Sequence, residues 1–180
     1  MEIPCVPDCA FLTTGQAYHG SKKYTSLLQS EANPQKRVKM LRTMEEYSEI
    51  IVLLEQVIVQ YAGSLTSIRD RDILESVRLL KKTYKTESRG IIYEETSSNP
   101  LAQALVQEMR DTLERVRAEG ASEGLRLGAS TAMNCLEVIE ADVLYYLKAD
   151  GEGVGYLKFI SRNHPEGAAP GKQNGLIITP

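Results

Sequence analysis

The residues of this chain that could do chemistry fall into four groups. Cys5 and Cys9 set two thiols close together near the N-terminus, a spacing suited to half of a zinc site or to a redox pair. Structural zinc takes four ligands, usually in two pairs. Only His19, Cys135 and His164 remain as soft ligands, and none belongs to a second pair. Two plain cysteines in an irregular arm is the simpler reading, and no metal is expected. Glu46 with Glu49, and Glu137 with Glu140, have the i, i+3 spacing that carboxylates take in di-metal helical bundles. Such sites also need histidine on the same helices, and neither pair has one. Solvated glutamates on helix flanks are expected instead.

The third group is the stretch Thr83 to Glu95 at the middle of the chain, which gathers Tyr84, Glu87, Arg89, Tyr93 and Glu94. Glu87 and Glu94 occupy places in a helical seam that Leu or Ile would ordinarily fill. A carboxylate buried without a partner costs several kcal/mol or takes up a proton. Either this end of the seam is polar and open to solvent, with a structural ion pair, or the acids line a ligand pocket or contact site. Arg37 and Lys39, or the hydroxyls of Tyr47, Tyr84 and Tyr93, are the partners the sequence offers.

The fourth group is a basic stripe, Arg71, Arg78, Lys82, Lys85 and Arg89, whose steps of 7, 4, 3 and 4 put all five on one helix face. A phosphate backbone suits such a stripe. No aromatic side chains interleave with it to stack bases, and the net charge of the chain is -3. Nucleic acid is therefore disfavoured, and a solvated outer face, partly neutralised by Glu75 and by acids of the preceding helix, is expected. Other chemistry lacks its parts. There is no Gly-x-Ser-x-Gly elbow, and Cys135 falls in a helix interior as a small buried hydrophobe. Gly151-Glu152-Gly153-Val154-Gly155 has neither the preceding strand nor the lysine of a phosphate loop. No cofactor and no complete catalytic set can be read from the chain.

The elements that must position these groups are helices. Asn33-Pro34 is a start signal, because Asn caps well and Pro tolerates the first helical position. Apolar residues then recur at Met40, Met44, Tyr47, Ile51, Leu54, Ile58 and Tyr61, predicting one helix to Gly63. From Ile50 to Val59 the apolar residues go nearly all the way round, which places the helix centrally or at a subunit interface. A second helix from Ile68 has the seam Ile73, Val77, Leu80, Tyr84, Glu87, Ile91 and Glu94. Its 4-3 spacing predicts one helix through Gly90 to Thr96, the alternative being that Gly90 ends it and Ile91-Ile92-Tyr93 is a short extended segment. Pairing these two helices as a hairpin brings Glu45, Glu46 and Glu49 near Lys81, Lys82 and Lys85. Asn99-Pro100 opens a third helix, Ser130 or Thr131 caps a fourth that ends before Asp150-Gly151, and Tyr156 to Arg162 forms a short fifth.

The expected fold is all-α, an antiparallel bundle of four long helices plus a short C-terminal helix. An irregular N-terminal arm over residues 1–33 precedes the bundle domain at 34–163, and a flexible tail follows at 164–180. The 180 residues, ordinary in composition, suit a single domain. No apolar run approaches a membrane span, no export signal is read, and three cysteines fit a reducing cytoplasm. The function expected is non-catalytic binding to another protein, with a homodimer through Ile50 to Val59. The alternative is a ligand-binding or enzymatic bundle with its pocket at Tyr84, Glu87 and Tyr93.

Overall fold

The computed structural model describes residues 31–64, 67–90, 95–122, 127–150 and 152–164. Among them the chain is all-α, with six helices and no strand. α1 covers Pro34–Glu46, α2 Ser48–Ser64, α3 Asp70–Glu87, α4 Pro100–Ser122, α5 Ala129–Ala149 and α6 Gly155–Asn163. No helix among the described residues is long and apolar enough to cross a membrane. Most of the expected arm and tail lies outside the described residues, and Cys5, Cys9 and His19 with it.

Both Asn-Pro signals act as read. Asn33 Oδ1 accepts the N–H groups of Gln35 at 3.0 Å and Lys36 at 3.3 Å. Asn99 Oδ1 accepts those of Leu101 at 3.1 Å and Ala102 at 3.4 Å. Each cap satisfies amide donors that the first helical turn leaves without a partner. Asn99 also donates from Nδ2 to Asp72 Oδ1 at 2.7 Å, which ties the start of α4 to the first turn of α3.

Three expectations are corrected. The single helix from Pro34 to Gly63 is two. Tyr47 adopts φ -128° and ψ 29° and closes α1, its N–H bonded to the Thr43 carbonyl. Its own carbonyl then accepts the N–H groups of Ile50 and Ile51 and opens α2. The apolar spacing passes through this break because it records which side faces the core, and both helices face the same core.

The second helix does not run through Gly90. α3 ends at Glu87, and the N–H groups of Arg89 and Gly90 bond only three residues back, to the carbonyls of Thr86 and Glu87. Gly90 has φ +77°, a left-handed conformation that glycine adopts without strain. The seam misleads because its consecutive apolar members end at Tyr84, and counting Glu87 as a member prolongs it. Ile91, Ile92, Tyr93 and Glu94 lie outside the described residues.

The expected hairpin of first and second helices is replaced by another pairing. α3 packs most extensively on α5 and next on α4, whereas α2 packs on α4, α6, α5 and α1. Lys81 and Lys82 accordingly pair with Glu140 and Glu95 rather than with Glu45, Glu46 or Glu49. Energetics favour this solution. Ile73, Val77 and Leu80 of α3 are fully buried, as are Leu105 and Met109 of α4 and Leu136, Ile139 and Val143 of α5. Each such side chain contributes about 1.5–3 kcal/mol, against about 0–1 kcal/mol for an exposed ion pair. The apolar seam therefore sets the orientation of α3. The all-round apolar run on α2 is only partly accounted for by its central position. Ile51, Leu54, Ile58 and Val59 are buried against other helices of the same chain, whereas Val52 is exposed and Leu53 and Val57 are only partly buried. The fold thus encloses one side of the run and leaves the other outward.

Buried carboxylates pin the short helix α6 at both ends. Asp70, fully buried at the start of α3, accepts the N–H groups of Tyr156 at 2.9 Å and Leu157 at 3.0 Å, the first turn of α6. Its own N–H donates to the Gly153 carbonyl at 2.8 Å. At the far end, His164 Nε2 lies 2.8 Å from Glu55 Oε2, and the Tyr156 hydroxyl donates to the other Glu55 oxygen at 3.4 Å. The turn into α6 needs its glycines. Gly153 has φ +70°, and a Cβ on Gly155 would lie 2.9 Å from the Asp150 Cβ.

Asp70→Ala removes both acceptors from the start of α6 and is expected to destabilise the chain by about 2 kcal/mol. Asp70→Asn keeps a carbonyl acceptor and removes a buried charge, so it should lose less than about half as much. Urea unfolding midpoints compare the two, and equal losses would contradict the capping account.

Candidate functional site

The stretch that the sequence singles out is divided by the fold. Tyr84 faces inward, 2% exposed, and its enclosed hydroxyl makes no hydrogen bond among the described residues. Burial, with Glu114 adding to it, pushes the phenol well above its ordinary range, so Tyr84 stays protonated. Arg117 of α4 places its guanidinium 5.9 Å from the centre of the Tyr84 ring and its Nη1 3.0 Å from Glu87 Oε1. Glu87 is thus half-exposed and paired, and its partner comes from α4 rather than from Arg37, Lys39 or a tyrosine. This is the plainer of the two expected outcomes, a polar end to the seam closed by an ion pair. Tyr93 and Glu94 lie outside the described residues, and Arg89 belongs to a different surface.

A second polar constellation is internal. Glu55 is 2% exposed and Asp142 2%, both beside the fully buried Tyr156. Burial first, then the Glu55 and Asp142 carboxylates, push the Tyr156 phenol well above its ordinary range. Tyr156 therefore remains a hydrogen-bond donor to Glu55. Glu55, His164 and Asp70 hold α6 in place. Among the described residues no group of three or more His, Cys, Asp or Glu side chains is placed to hold a metal ion.

The open site lies on the other face of α3. The seam of Ile73, Val77 and Leu80 turns the opposite positions outward beside α5. There Arg78, Lys81, Lys82, Lys85 and Arg89 line a groove of about 500 Å3, whose far wall is Met133, Glu137 and Glu140 of α5. The wall acids are already matched. Glu140 accepts from Arg78 Nε at 2.7 Å and from Lys81 Nζ at 2.5 Å, and Glu137 accepts from Lys39 Nζ at 2.9 Å. Lys82 lies 3.6 Å from Glu95, the lysine exposed and the glutamate partly buried. Lys85 and Arg89 are exposed and have no ion pair among the described residues. From Arg78 to Arg89 there are five cations and one carboxylate, a local charge of +4 in a chain of net charge -3. The groove itself is lined by five cations and two carboxylates, Glu137 and Glu140.

Four of the five stripe residues read from the sequence meet here, and Arg71 does not line the groove. The sequence reading missed Lys81 and the wall from α5. Lys81 stands next to Lys82, so the doublet was a signal, but the pairing of α3 with α5 had none. Glu75, expected to neutralise the stripe, faces away and bonds to Ser97 and Asn99 at the start of α4.

Glu140 is the hinge of this wall electrostatically. Burial pushes its carboxyl up, but the hydrogen bonds from Lys81 and Arg78 together outweigh burial and hold it below its usual value of 4.5. A carboxyl lowered on folding contributes stability that is fully present above the unfolded value and is lost as pH falls through the folded one. Glu140→Gln is therefore expected to cost about 1 kcal/mol at neutral pH, discounted for solvent screening, and progressively less below about pH 4.5. Unfolding midpoints of both chains from neutral pH downward test this, and a pH-independent difference would contradict it. Compared with known proteins, the chain matches no protein-family model, no curated protein and no solved structure.

Proposed function

We propose that this chain is a non-catalytic helical-bundle protein that acts by binding another protein, with the groove between α3 and α5 as its contact face. In this reading α2 to α5 are the four long helices of the bundle, and α1 and α6 are packed on it. The observation that carries the proposal is the charge imbalance of the groove. Two carboxylates of the wall are neutralised from within the chain, while Lys85 and Arg89 are exposed beside them and have no ion pair among the described residues. Exposed like charges on one helix repel one another and add nothing to stability, so their concentration favours a role outside the fold. The groove also has an apolar point, Met133, of the adaptable kind that contact surfaces use. The polar residues inside the fold have structural roles instead, since Asp70 and Glu55 hold α6.

A photo-crosslinking amino acid in place of Lys85 tests this in cells, with the same residue in place of the exposed Arg115 on α4 as the control. The reading predicts a discrete protein adduct from position 85 that position 115 does not form. Equal labelling from both positions, or an adduct that nuclease removes, would overturn it.

A further inference from the structure

We infer that the partner segment is an acidic amphipathic helix of about three turns, laid along the groove between α3 and α5. This rests on the protein-binding reading above and adds the chemistry of the partner. The argument starts from spacing. Arg78, Lys82 and Lys85 project from two successive turns of α3, rising about 10 Å in two steps of about 5 Å. Acids at 3-4 spacing on a facing helix repeat with the same average step. Acids on one face of a strand recur at about 6.7 Å and drift out of register by a few ångström over the same distance. Arg89, in the turn beyond α3, extends the row and accounts for the third turn of the partner.

The second argument is shape and wall chemistry. The groove lies between two helices, the geometry into which an amphipathic helix lays its face. Met133 on the α5 wall offers a contact for one apolar residue of the partner. The wall also carries Glu137 and Glu140, both already paired with cations of this chain, and among the described residues no aromatic side chain lines the groove to stack a base. A helix tolerates those carboxylates by presenting its acids to the α3 side only. Charge complementarity and the helical step thus favour an acidic helix over nucleic acid.

Fluorescence anisotropy with the full chain tests the inference. The probe is a labelled synthetic helix with glutamates at 3-4 spacing and one leucine flank. A peptide of the same composition with the face scrambled and a single-stranded oligonucleotide of equal charge serve as comparisons. The patterned peptide is expected to bind about tenfold tighter than the scrambled one and to lose about tenfold in affinity between about 0.05 and 0.5 M salt. Lys85→Glu with Arg89→Glu should weaken it by about tenfold or more, with the far-UV circular dichroism unchanged. Lys82→Gln, which removes charge without reversing it, should give a smaller loss in the same direction. Equal binding of both peptides would overturn the helical register. Tighter binding of the oligonucleotide, lost in the double variant, would make the groove a nucleic-acid site. A protein adduct from position 85 together with no binding of the patterned peptide would overturn the acidic helix alone and leave protein binding standing.

Discussion

Burial of the α3 seam between α4 and α5 is the constraint from which the rest of the molecule follows. Ile73, Val77 and Leu80 are excluded from solvent, and Tyr84 nearly so. A helix that commits one face to the interior has no freedom left in the direction of the other. The outward face of α3 carries Arg78, Lys82 and Lys85, and α5 lies close beside it, so the cations form one wall of a groove instead of a dispersed surface. The ion pairs across the groove are consequences of that packing. Each is weak beside a buried aliphatic side chain, but together they decide which charges are left over. Glu140 takes Arg78 and Lys81, Glu137 takes Lys39, and among the described residues the remainder is Lys85 and Arg89 with a loosely held Lys82.

The polar residues of the interior serve a different need. α6 is short, and a helix of that length does not persist unless its ends and one face are held. Asp70 supplies the acceptor for its first turn, Glu55 meets His164 just past its last, and its own Tyr156 and Ile160 are fully buried. Tyr146 of α5 stacks on Phe159 with ring centres 5.0 Å apart, closing the exposed side. Burying Asp70 and Glu55 carries a desolvation cost, and the hydrogen bonds each accepts offset it. The molecule thus keeps its buried charge for assembly and its unpaired charge for the surface.

How much of this could be read from the sequence depends on the range of the interaction. Local chemistry was largely readable: Asn33 and Asn99 cap the helices they precede, and α5 and α6 fall close to where periodicity puts them, although α5 is entered from Gly128 without a side-chain cap and not from Ser130 or Thr131. The breaks were not. At Tyr47 the apolar spacing continues through a change of helix, and at Gly90 it continues past a helix end, because spacing reports the buried side and not the path of the backbone. Long-range pairing was not readable at all. Nothing in Glu137 or Glu140 says that they meet Lys39, Arg78 and Lys81 across distant parts of the chain. The same limit explains Glu87, whose partner Arg117 stands on the following helix. Glu55, the one carboxylate inside an all-round apolar run, was the available signal for the internal cluster, and its partner His164 lay too far along the chain to suggest itself.

The central claim is that the exposed cations of α3 and Met133 of α5 form one contact face. Methyl-labelled methionine NMR tests it most directly, because Met133 lines the groove while Met40, Met44 and Met109 are buried in the core. On titration with the patterned acidic helix, the account predicts that the Met133 methyl resonance moves and that those of Met40, Met44 and Met109 stay in place. A Met133 resonance that does not move at saturating peptide, or a uniform shift of all four, would contradict it.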